Sequence, residues 1–275
     1  MSLFGLGPVL ARLAFAGGVD GLTLQVCRFG LGALGLWGWI ALAPGPRPAI
    51  GRADWAAAML IGAALGCGSW CYLTSIRLLP VPVASLIFFT FPLMVAVLAH
   101  VLPPPFAARM RANQAAGLVV AFAGVAMIVG LGSQRPDWQG VLLSFAAAAC
   151  VSLSYLVTPV LGRRIGALRL TAVATAVAAA GFILLRLAAG EGSLPADAAG
   201  WIGLAGNAAA YSFGLLALFA GLPAAGPTVA AMLSYLEPLV ALAAAALVLG
   251  EVLEPLPALG ALVVLGALWI GRPGR

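Results

Sequence analysis

Two charged side chains lie in stretches of the sequence that are otherwise apolar. Glu237 occurs in Ala230-Ala231-Met232-Leu233-Ser234-Tyr235-Leu236-Glu237-Pro238-Leu239-Val240, and Arg28 in Leu24-Gln25-Val26-Cys27-Arg28-Phe29. A charge inside an apolar span is expensive and faces a cavity or a partner. Glu237 therefore suits proton coupling or the binding of an amine. The competing reading is structural, with the side chain tying down backbone loosened by Pro238. Arg28 lies roughly 10 Å from its helix end at 1.5 Å per residue. It suits attraction of a carboxylate, or closure of an outer gate with an acid such as Asp20. It is also close enough to the interface to snorkel. Arg12 is a second arginine within an apolar run, open to the same readings.

Hydroxyl, amide and aromatic groups are scattered through the same runs. They are Ser69, Trp70, Tyr72, Thr90, Ser152, Ser154, Tyr155, Asn207, Tyr211, Ser234 and Tyr235, with Phe88, Phe89 and Phe91 beside Pro92. Aromatic walls carrying a few polar atoms make a pocket for an amphipathic small molecule. The alternatives are interhelical polar glue or, for Trp70 and Tyr72, an interfacial belt. Enzymatic chemistry has little to work with. The sequence has no His-Glu-x-x-His, no clustered aspartates and no Ser/His or Cys/His pair, and its one histidine, His100, is near a helix end. No metal and no other cofactor is expected. Cys27, Cys67, Cys71 and Cys150 all fall in apolar spans and read as small buried hydrophobes.

The elements that must position these groups follow from composition. Of 275 residues, 63% are hydrophobic and 8% charged, whereas a water-facing domain carries about 25% charged residues. The chain reads as a polytopic membrane protein. Its 14 basic residues are all arginine, and no basic patch interleaved with aromatics suggests a nucleic acid. Position 1 leads straight into an apolar run without a cleavage site, so the first span is expected to be retained. With about 20 apolar residues per crossing, ten spans are expected, at 2–18, 22–43, 54–76, 81–102, 113–132, 138–159, 170–189, 200–220, 226–249 and 255–271. Breaker-rich connections such as Pro44-Gly45-Pro46-Arg47-Pro48, Pro103-Pro104-Pro105 and Ser133-Gln134-Arg135-Pro136 leave no room for a soluble domain.

The arginines give an orientation. Arg47, Arg52, Arg109, Arg111, Arg163, Arg164, Arg169, Arg272 and Arg275 fall on one side, and Arg77, Arg135 and Arg186 on the other. Nine against three places both termini in the cytoplasm. The acids Glu251 and Glu254 read as solvated loop charges on the far side. Pro92 and Pro238 each stand in the middle of a long apolar run, one per half of the chain. Placing one on the other aligns Val83-Ala84 with Val229-Ala230, and a three-residue gap brings Gly117 onto Gly260 and Gly124 beside Gly266. Five helices per half, an odd number, would invert the second copy across the membrane, as in many repeat-built transporters. Gly62-x-x-x-Gly66 and the four aligned glycines are expected at close helix contacts.

The run Leu233-Ser234-Tyr235-Leu236-Glu237-Pro238, then Leu249-Gly250-Glu251, then a last span with Gly260 and Gly266, resembles the EamA domain of the drug/metabolite transporter superfamily. Arg28 matches the arginine that this family carries early in its second helix. The resemblance covers both repeats, 1–134 and 135–275. It departs in the first, where Phe91 occupies the slot of Glu237 and the Gly-Glu after the fourth helix is missing. The resemblance implies an all-α membrane protein of ten helices in two inverted five-helix repeats, with both termini cytoplasmic. It also implies export of small metabolites, commonly amino acids, with bacterial inner-membrane exporters of the YddG type as the nearest model. The expected partners are a small-molecule substrate and the bilayer, with the protein acting as a monomer. A central cavity would form between helices 3, 4, 8 and 9, completed by 1 and 6. Competing functions are a lipid or lipid-linked sugar flippase of the same superfamily and an intramembrane lipid-modifying enzyme. A channel would need a ring of charges or a carbonyl filter, and none is visible.

Overall fold

The computed structural model describes residues 2–42, 50–106, 110–129, 137–190, 192–249 and 255–271. Arg47, Arg109, Arg135, Glu251, Glu254, Arg272 and Arg275, which entered the sequence reading, lie outside the described residues. All regular structure among the described residues is helical: α1 (Ser2–Ala16), α2 (Gly21–Leu42), α3 (Arg52–Leu78), α4 (Val81–Phe88), α5 (Phe91–Val101), α6 (Ala112–Val129), α7 (Trp138–Ile165), α8 (Ala167–Ala189), α9 (Ala198–Ala225), α10 (Pro227–Leu233), α11 (Leu236–Leu249) and α12 (Pro255–Ile270). Among the described residues, seven stretches are long and apolar enough to cross a membrane, with α4–α5 and α10–α11 each counted as one. Leu3–Ala16 and Pro255–Ile270 are shorter apolar helices, and α2 has 22 residues. Leu34, Leu42, Leu187 and Leu247 are more than two-thirds exposed, a distribution suited to lipid rather than water.

The two proline-bearing runs are broken helices. The chain leaves α4 at Phe89-Thr90 and re-enters a helix at Phe91, so Pro92 occupies its first turn. It leaves α10 at Ser234-Tyr235 and re-enters at Leu236, with Pro238 in the first turn of α11. The missing proline N–H would be an orphan there in any case, and the fixed φ already fits a helix. Tightened three-residue hydrogen bonds bridge each gap. Thr90 N–H donates to Ile87 O at 3.1 Å, and Ser234, Tyr235 and Glu237 N–H donate to Ala231, Met232 and Ser234 O at 3.1, 3.2 and 2.9 Å.

Packing repeats between the halves. If α4–α5 and α10–α11 are each taken as one element, advancing any helix by five elements exchanges α1 with α7, α2 with α8, α3 with α9, α4–α5 with α10–α11 and α6 with α12. That exchange turns the α3–α7 contact into α9–α1, α3–α8 into α9–α2, and α4–α5 on α7 into α10–α11 on α1, while α2–α8 and α6–α12 map onto themselves; every one of these contacts is present.

Small residues set the close approaches. A methyl group on Gly124 would meet Gly260 O at 2.9 Å, and one on Gly117 would meet Ala267 O at 2.8 Å. Gly62 and Gly66 lie against Ala174 and Ala178 of α8 in the same way. Gly266 departs from the expected pattern. It is exposed with no atom within 4 Å of its added methyl, because Gly260, Val264 and Ala267 form the face that α12 turns to α6. The one-residue links at Gly166 and Gly226 have φ of +82° and +79°, backbone that only glycine adopts readily.

Helix ends fall on two faces. Arg164 of α7 pairs with Asp54 of α3 at 3.2 Å, and Arg163 donates to Pro223 O of α9. This face also holds Arg52, Arg111 and Arg169. Arg77 and Arg186 are at helix ends on the opposite face, where Ala196 N–H donates to Gly17 O at 2.9 Å.

Candidate functional site

Both breaks lie near the middle of the bundle and face each other. Phe89 of the first and Tyr235 of the second have ring centroids 6.4 Å apart, and α5 packs on α10. Tyr155 of α7 joins them. Its ring sits 5.4 Å from Phe91, and its hydroxyl lies 2.6 Å from that of Ser234, which donates on to Ala230 O at 3.4 Å. Ser152, one turn earlier on α7, donates to Ala148 O at 2.8 Å and to Phe91 O at 3.3 Å.

Glu237 follows directly after the second break. Protein surrounds it, yet it keeps part of its surface accessible. Among the described residues no hydrogen bond or direct ion pair engages its carboxylate, and the described cation whose field reaches it is Arg28. Among the described residues, backbone hydrogen bonds carry the chain from Ser234 into α11.

Arg28 is likewise surrounded but partly accessible. Its guanidinium carbon sits 3.7 Å from the centroid of the Tyr211 ring, a cation–π contact strengthened where water is excluded. Its Nε is buried without a hydrogen-bond partner. Tyr211 is held from two other sides, by Phe4 of α1 at 5.6 Å and Phe29 of α2 at 5.1 Å, and Phe29 stacks on Phe182 of α8 at 5.6 Å. Arg28 and Glu237 thus lie within electrostatic reach of each other, with no ion pair between them.

An aromatic wall continues from Phe91 to Phe88 at 5.4 Å and from Phe88 to Tyr72 at 5.2 Å. Tyr72 and Ser85 hydroxyls are 2.7 Å apart. Tyr235 is fully buried with its hydroxyl unpartnered.

Other residues singled out in the sequence are engaged elsewhere. Asn207 donates to Gly7 O at 2.9 Å and ties α9 to α1. Thr90 donates to Ile87 O at 2.7 Å within the first break. Trp70 packs with the Phe29–Phe182 cluster between α2, α3 and α8. Arg12 is on the exposed face of α1, and His100 is exposed near the end of α5. Asp20 accepts from Leu22 and Thr23 N–H at 2.9 and 3.0 Å, from the Thr23 hydroxyl at 2.6 Å and from Ser193 N–H at 3.0 Å. It begins α2 and holds the loop before α9, and it makes no pair with Arg28. Partial burial alone would raise its pKa, but hydrogen bonds from Thr23 and Ser193 and the charge of Arg186 outweigh this and hold it well below the usual carboxylate range. Among the described residues no group of His, Cys, Asp and Glu could hold a metal ion.

Four contributors were not singled out as candidates by sequence reasoning. Phe4 and Phe29 carry no signal in a chain this apolar. Gln25 is buried with its Oε1 unpartnered, one turn before Arg28, and its spacing of three from an intramembrane arginine was the available sign. Ser85 looks like any small hydroxyl until Tyr72 is placed beside it.

With this geometry in place, comparison with known proteins becomes informative. The model of the EamA-like transporter family matches residues 1–130 and again 138–271. The chain belongs to the EamA-like transporter family. It is a multi-pass membrane protein and a transporter of the drug/metabolite superfamily, a class that moves small molecules. Its fold is similar to a solved structure titled "Crystal structure of protein", with a TM-score of 0.83 and 17% identity over 98% of this chain and 93% of that one. No curated protein matches the sequence.

Proposed function

We propose that this EamA-like transporter exports amino acids, aromatic and other neutral ones among them, or related small metabolites across the bacterial inner membrane by alternating access. The observation that carries this reading is the placing of opposite charges, Arg28 and Glu237, within electrostatic reach of each other among aromatic rings. A zwitterion complements both at once. Its carboxylate fits the guanidinium, whose Nε lacks a partner, and its ammonium fits Glu237. A side chain would lie along Phe88 and Tyr72. Proline fixes each break, so the segments on either side of it can tilt while the helices themselves stay intact.

The five-step exchange of packing contacts supports a reading of ten spans in two inverted repeats, 1–134 and 135–275. Both termini in the cytoplasm is the orientation favoured by Arg52, Arg111, Arg163, Arg164 and Arg169 gathering on one face against Arg77 and Arg186. Uptake of radiolabelled amino acids into proteoliposomes, with and without a pH gradient, tests the reading. Uptake by the wild type that disappears in Glu237→Gln supports it. Folded wild-type protein that moves no amino acid overturns the substrate and redirects attention to other metabolites or to lipid.

A further inference from the structure

The two helix breaks are not independent. One side chain touches both: the Tyr155 ring packs on Phe91 at the first break, while its hydroxyl bonds Ser234 at the second, 2.6 Å away. Ser152 adds a second strut from the same face of α7 to the carbonyl of Phe91. Residues three apart on a helix share a face, and α7 is continuous from Trp138 to Ile165. Both struts therefore start from one helix, upstream of its Pro159.

Among the described residues, the matching helix of the other half shows no equivalent strut. From Leu3 to Ala16, α1 carries no hydroxyl or amide side chain. It meets the second broken helix through bare backbone, where a methyl on Gly5 would lie 2.7 Å from Glu237 O. We propose that Tyr155, seconded by Ser152, couples the two breaks so that they rearrange as one unit, with α7 as the shared strut and α1 as a sliding surface. Tyr155 is here a positioning residue. A ring pinned at its hydroxyl is a fixed wall for Phe91, and once unpinned it lets the first break loosen although nothing at that break has been altered. The inference rests on the transporter reading for its purpose, but not for its test.

The test is hydrogen–deuterium exchange of the full chain in lipid nanodiscs, with Tyr155→Phe, Ser234→Ala, Ser152→Ala and Ser152→Thr beside wild type. Tyr155→Phe keeps the ring against Phe91 and removes only the bond to Ser234. Exchange is expected to accelerate about three- to ten-fold, the factor for one neutral hydrogen bond, at residues 232–239 and also at 88–94. Amides of α2 and α8 should keep wild-type rates. Ser234→Ala removes the same bond from the other end and should give the same two-site pattern. Ser152→Thr should restore what Ser152→Ala loosens. Acceleration confined to 232–239, or equal acceleration everywhere, overturns the coupling. Failure of every amino acid to be transported, with the two-site pattern intact, overturns the substrate reading and leaves the coupling standing.

Discussion

The broken helices α4–α5 and α10–α11 share a backbone and differ in chemistry. Each stops before a proline, bridges the gap with three-residue hydrogen bonds and resumes with proline in its first turn. The first carries Phe89 and Phe91, packed against other rings, and its hydroxyl, Thr90, is spent on its own carbonyl. The second carries Ser234, Tyr235 and Glu237, with the carboxylate left unengaged among the described residues. The repeat therefore carries the same helix break twice, and only the second copy holds a charge. A packed break contributes stability, whereas on the reading proposed above the charged one gives up stability for recognition.

That contrast can be broken from either side. The largest expected effect is Phe91→Ala, which empties a fully buried position and should cost about 3–5 kcal/mol, read as a lowered unfolding temperature in detergent. Glu237→Gln should do the reverse. Its unfolding temperature should stay within a few degrees of wild type, while amino-acid uptake falls at least about ten-fold, a loss of about 1.4 kcal/mol or more. A variant that unfolded early would mark Glu237 as structural and erase the contrast.

Arg28→Lys keeps the charge and loses the flat stack on Tyr211. A cation–π contact is worth about 0.5–2 kcal/mol, so the apparent KM should rise by about two- to thirty-fold with little change in folding. An unaltered KM would remove Arg28 from recognition. At the helix interfaces, Gly124→Ala should destabilise by about 1–3 kcal/mol through overpacking against Gly260, while exposed Gly266→Ala should be neutral or slightly stabilising.

The smallest effect concerns Asp20, which is outside the membrane-spanning helices. Its pKa is lowered in the folded state, so its contribution is fully present above the ordinary carboxylate value of about 3.9 and is lost as pH falls below it. Asp20→Asn should lower the unfolding temperature by a few degrees at neutral pH and leave it closer to wild type in strong acid. A difference that persists unchanged in acid would mean that the ionised form is not what holds the loop.

Much of this molecule was legible in one dimension. Residues that cannot face water must form helices that satisfy their own backbone bonds, so apolar run length set most helix ends to within about three residues, while α7 and α9 run on to Ile165 and Ala225, past the expected ends at 159 and 220. Pro92 and Pro238 marked the breaks because a missing N–H is a local fact. Glu237 and Arg28 stood out because charge in an apolar run is costly wherever the chain folds. What depended on side-chain direction did not show. Asn207 and Tyr211, one turn apart on α9, part company, one tying α1 and the other stacking under Arg28. Asp20 looked like a gate partner for Arg28 and instead begins α2. Gly266 aligned with Gly124 in sequence and points away from it in space.

Sequence alone determined which segments are helical, where they break and which charges are out of place, because those consequences follow from each residue's own chemistry. Only the tertiary structure decided that Tyr155 bridges the breaks and that Arg28 and Glu237 come within electrostatic reach without pairing. Such relations depend on which faces the helices turn to one another, and in a chain this uniformly apolar no periodicity of polar residues writes that down.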